Sequence, residues 1–257
     1  MKEVFELITI WEPEKVESIV GIDDDEYLSS YEKEDNVQFA NSYLRFLKTM
    51  GESLGPIEID DGDSLICFLD VCSDFYDHIG GPRYFMFSLH CSKEDLADNT
   101  PYFLDLQDPY GDDFAVVQMP IGAARTSEFH YARKEFVSLR EMLIYWSYWS
   151  VRVPQFKYSA FIMEKLTDDE EFYDIEMFDL IANSFDLTLC PYLDFWRYYD
   201  GSEASFCVKR DMETHQITDV DVFSNDKLLL TKIVETILDN TPLVEVEEKN
   251  VKTAILL

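Results

Sequence analysis

The sequence predicts an α+β protein in which antiparallel or mixed strands are flanked by helices. Three observations carry that prediction. Stretches with apolar residues at steps of three and four mark amphipathic helices. Short runs rich in aromatic and β-branched residues, set between turn formers, mark strands. The two halves of the chain also show one order of elements (helix, three strands, helix), so a second α-βββ-α module is expected after the first.

Taken in order, "EVFELITIW" opens as a strand-like run, and residues 14–34 alternate apolar patches with acid clusters such as "DDDE" at 23–26. A helix follows, with Phe39, Tyr43, Phe46, Leu47 and Met50 on one face. Lys48 in its last turn suits the negative end of the helix dipole, and Gly51 is expected to close it in the left-handed conformation. Residues 63–79 read either as a helix with Leu65, Phe68 and Cys72 on one side or as a buried strand at "LICFL". Strands are expected at 83–90, 101–108 and 113–122, with "DPYG" at 108–111 turning the second into the third. Phe136, Leu139, Leu143 and Trp146 then mark a long helix with an aromatic tail, "YWSYWSVRV".

"SVRVPQFKYSA", punctuated by Pro154, is the expected linker, dividing 1–153 from 154–257. Beyond it, "TDDE" at 167–170 has capping-box spacing and precedes a stripe of Ile175, Phe178, Ile181 and Phe185. Strands are expected at 192–199, 204–211 and 217–224, then a helix at 226–239 striped by Leu229, Ile233 and Ile237 and ended by Asn240 and Pro242. "PLVEVEE" adds an edge strand, and one sheet shared by both modules is compatible with the pattern.

The 257 residues are 47% hydrophobic and 15% aromatic, a composition that builds cores and argues against disorder. Against 21 Lys and Arg stand 52 Asp and Glu, a formal net charge of −31. Such a field repels nucleic acid and anionic membranes and steers basic proteins inward. Two plainer accounts of the acidity are solubility alone and a halophile's surface. Five cysteines, an odd number lying in apolar stretches, read as reduced core thiols. With no secretory signal at the start and no run of about 18 apolar residues, the expected compartment is the cytoplasm.

Reactive constellations are scarce. No phosphate-cradling glycine loop, HExxH, paired CxxC or GxSxG elbow occurs, and the spacing of Cys67, Cys72 and His78 is not that of a closed zinc site. Carboxylates cluster at 59–63, 108–113 and 167–171 without the calcium-loop spacing. They make better sense as a charged face than as catalytic or metal-binding groups, so no catalytic residue, cofactor or metal is expected.

"FANSYLRFLKTMG" resembles a helix of the SUKH superfamily, whose bacterial members are mostly immunity proteins neutralising co-encoded toxins, many of them nucleases. "PYFLDLQDPYGDDFAVVQMP" is similar to that family's central strand pair, and "ARKEFVSLREMLIYWSYW" to its closing helix. The pattern falls on Tyr43, Phe46, Leu47, Gly51, Asp105, Gly111, Val116, Ser138, Leu139 and Leu143, which are fold-defining positions. Ala40-Asn41 replaces the family's Leu-Pro, and the likeness covers about residues 14–150. The resemblance implies a non-enzymatic protein that binds a basic toxin domain. Its expected contacts are acidic loops at Asp60, Asp61, Asp63, Asp108, Asp112 and Asp113, with exposed aromatics around Tyr145, Trp146, Tyr148 and Trp149 as anchors. The plainer reading of those aromatics is core packing against the second module. Alternative functions are a metal-dependent hydrolase built on the clustered carboxylates and a scaffold or regulatory protein on the same fold.

Overall fold

A computed structural model describes residues 1–23, 41–59, 83–87, 100–163, 175–193 and 195–245. The chain divides into two compact units, Met1–Val151 and Arg152–Leu257. Every described strand pair is antiparallel, and each unit holds its own principal sheet, so one sheet is not shared.

The first unit opens with a correction. "EVFELITIW" is not a strand but lies in a helix, α1 (Lys2–Trp11), because Val4, Leu7 and Ile8 fall on one buried face. Steps of three and four outweigh the β-branched composition. A 3₁₀ turn, Pro13–Ser18, leads to β1 (Ile19–Val20), which pairs with β2 (Ser53–Leu54). Between them in sequence runs α2 (Asn41–Met50), with Tyr43, Phe46, Leu47 and Met50 buried as expected. Gly51 does not adopt the left-handed conformation. It is required for another reason: a Cβ there would lie 2.6 Å from the Leu47 carbonyl oxygen and 2.9 Å from Ile22 Cδ1.

The main sheet of this unit runs β3 (Tyr84–Met86), β4 (Tyr102–Tyr110), β5 (Asp113–Gln118), β6 (Arg133–Phe136), in that order. Alternation along β3 sends Tyr84 and Met86 to one face and Phe85 to the other. On the first face they join Phe103, Val117, Met119 and the short helix α3 (Ile121–Thr126) through Ile121 and Ala124. On the second, Tyr43 of α2 meets Phe85 edge-on at 5.3 Å between ring centroids. Helix α4 (Leu139–Ser147) packs on β5 and against α1. Phe136, read as a helical position, instead ends β6; its spacing of three from Leu139 coincides with helix geometry by accident, and the helix starts only after Ser138. The aromatic tail continues as a π-helical turn, Tyr148–Arg152, and a 3₁₀ turn, Val153–Gln155.

In the second unit the strand order is β12 (Val244–Glu245), β7 (Tyr158–Met163), β11 (Ile217–Ser224), β10 (Ala204–Arg210), β9 (Arg197–Asp200), β8 (Thr188–Leu189). Part of the expected linker is therefore β7, an interior strand. The first expected strand, 192–199, is shifted and shortened to β9, whereas β10, β11 and the edge strand β12 lie where the sequence puts them. Helices α5 (Glu176–Ser184) and α6 (Lys227–Asn240) cover one sheet face, burying Phe178, Ile181, Ile233 and Ile237 on Phe206, Val208, Val220, Val222 and Ile162. Each such side chain contributes about 1.5–3 kcal/mol when fully buried. Asp226 caps α6 by accepting from the Leu228 N–H at 2.8 Å. The readings at 24–40, 63–79, 88–90 and 164–174, with the "TDDE" box among them, lie outside the described residues.

Candidate functional site

The predicted acidic site residues that the structure describes, Asp108, Asp112 and Asp113, lie on the β4–β5 hairpin, whose geometry starts with its turn, whereas Trp146 and Trp149 lie at the end of α4 and in the turn after it. Tyr110 pairs with Asp113, leaving Gly111 and Asp112 as a two-residue loop. Gly111 has φ +64°, which a side chain disfavours, and this is the pattern of a type II′ hairpin turn. "DPYG" is thus not itself the turn: Pro109 lies in β4, opposite Phe114, just beyond an irregularity in the ladder, where a strand tolerates proline.

Asp113, at the foot of the loop, is only 6% exposed. Its Oδ1 accepts from Ser42 Oγ at 3.0 Å and from the Phe114 N–H at 2.8 Å, and its Oδ2 accepts from the Arg140 N–H at 3.1 Å. A single carboxylate therefore ties β5 to the first turns of α2 and α4, where helix N-termini favour negative charge. The start of α4 is fixed further by Ser138, whose Oγ accepts from the Glu141 N–H at 3.1 Å, while Glu141 Oε2 accepts from the Val137 N–H at 3.3 Å. Ser-Leu-Arg-Glu has the capping-box spacing, and that signal, overlooked in the sequence, marks where α4 begins.

Beside the hairpin lies a cleft of about 410 Å³ lined by residues that include Lys2, Glu3, Arg45, Tyr110, Asp112 and Arg140. Its charges are mostly matched. Arg45 pairs with Asp112, Lys2 with Glu6 at 2.8 Å, and Arg140 with Glu3 at 3.9 Å. The Glu3 carboxyl is held below the usual carboxylate range, first by a hydrogen bond from its own backbone N–H, then by the Met1 ammonium 3.1 Å away, and least by the Arg140 guanidinium. Further along the hairpin, Asp108 accepts from Lys134 Nζ at 2.7 Å. The arrangement presents an exposed tip, Tyr110 through Asp112, on a hydrogen-bonded footing.

The predicted contacts fare unequally. Asp112 is exposed and Asp108 partly so, and both already have cations of this chain as partners. Asp113 is a correction: buried and committed to three donors, it supports the tip and offers nothing to a partner. Trp146 and Trp149 are a second correction, for they are partly buried, their indole nitrogens are enclosed, and Tyr148 is fully buried. They pack in an aromatic group in which Tyr145 meets Trp146 edge-on at 5.0 Å and Trp149 at a tilt at 6.1 Å between centroids. Tyr110, 40% exposed, is the tip aromatic that the sequence reading passed over. Asp60, Asp61 and Asp63 lie outside the described residues.

In the second unit the polar clusters read as structure. Tyr199 donates to Asp179 at 2.7 Å, and burial, reinforced by that carboxylate, pushes its phenol well above the usual tyrosine range. Lys209 Nζ lies 3.1 Å from Asp219 and 2.8 Å from Asp221. Burial also raises the thiols of Cys190 and Cys207, which makes both poor nucleophiles. Among the described residues no three His, Cys, Asp or Glu side chains form a group suited to a metal ion, and no helix is long and apolar enough to cross a membrane. No protein-family model, curated protein or solved structure matches the chain.

Proposed function

We propose that this chain is a non-enzymatic binding protein of the immunity type, which captures a basic toxin domain and blocks its active site by steric occlusion and complementary charge. The observation that carries this reading is the formal net charge of −31 on a chain with two well-packed cores. A field of that sign accelerates encounter with a cationic protein and weakens as salt rises. Within the described residues, the β4–β5 tip supplies the contact, with Asp112 and Tyr110 outward and Asp108 behind them.

The SUKH likeness supports the same reading. Its matched positions Tyr43, Phe46, Leu47, Val116, Leu139 and Leu143 are buried, Asp105 is clamped by Arg83 at 2.8 and 2.6 Å, Gly111 makes the turn and Ser138 caps α4. These are positions that build a platform and leave the recognition to its edge. The test is to recover the tagged protein from its native cells at low and at high salt. One basic protein in stoichiometric amount, recovered less well at high salt, is the expected result; an eluate without a basic partner at either salt overturns the reading.

A further inference from the structure

We draw no further inference here: the strongest candidate, the cleft beside the β4–β5 hairpin at the first turns of α1, α2 and α4, belongs to the site already described, and its cations and helix N-termini are already matched by Glu3, Glu6, Asp112 and Asp113.

Discussion

Replacing Asp113 by alanine should be far more damaging than replacing its neighbour Asp112, although both are aspartates of one hairpin. The substitution strands the buried Ser42 hydroxyl and the partly buried Arg140 N–H, while the Phe114 N–H loses its local acceptor. A buried donor left unmade costs about 1–3 kcal/mol, and a bond to a charged group contributes about 1.5–3. Taking the Ser42 and Arg140 donors as the lasting losses, at about 1–3 kcal/mol each, gives a destabilisation of about 2–6 kcal/mol, a large share of the roughly 5–15 kcal/mol that holds a typical domain folded. Asp113→Asn keeps the shape and one acceptor but can point an NH₂ at the Arg140 N–H, so about 2 kcal/mol is expected. Asp112 is 65% exposed at its side chain and its partner Arg45 61%, and an exposed pair contributes about 0–1 kcal/mol, so Asp112→Ala should barely register. Urea unfolding followed by tryptophan fluorescence reads the first unit well, because Trp11, Trp146 and Trp149 lie in it and only Trp196 in the second. An Asp113→Ala protein within about 1 kcal/mol of Asp112→Ala would refute the view that this carboxylate ties β5 to the two helices.

Three further outcomes follow from the same structure. Ser138→Ala removes the cap of α4 and should lower stability by about 1 kcal/mol, seen as a fall in the urea midpoint at unchanged slope. The raised phenol of Tyr199 contributes stability that is fully present below the unfolded tyrosine value of about 10 and is lost as pH climbs above it, so Tyr199→Phe should flatten part of the alkaline decline; an unchanged slope by circular dichroism would count against that assignment. Cys190 and Cys207, at 9% and 0% exposure, should resist a thiol reagent in the folded protein and react after unfolding, as peptide mapping would show.

Most of the fold was legible where packing periodicity was strong. The stripe of α2 is buried at Tyr43, Phe46, Leu47 and Met50, and α6 buries the expected Ile233 and Ile237, with Leu230 and Val234 in place of the partly buried Leu229, while β10 and β11 lie where their apolar runs put them. The misreadings have local causes. In α1, Thr9, Ile8 and Ile10 suggest a strand by composition, but Ile10 is 74% exposed while Val4 and Ile8 are fully buried, a pattern only the helical period produces. The strand β7 was hidden because Tyr158 and Ser159 are exposed and only Ile162 is fully enclosed, which leaves little alternation to detect. On the hairpin, the acidic letters do not separate the exposed carboxylate from the buried one. Nothing in "YGDDF" separates Asp112 from Asp113; that division arises when Ser42 and Arg140, distant in sequence, arrive with donors to fill.

The two-residue turn has a consequence for how this surface can change over generations. A Cβ at Gly111 would meet no heavy atom within 4 Å, Asp112 stands in water, and the anchoring is done by the next residue along. Position 112 can therefore change in charge and size while the scaffold stays folded.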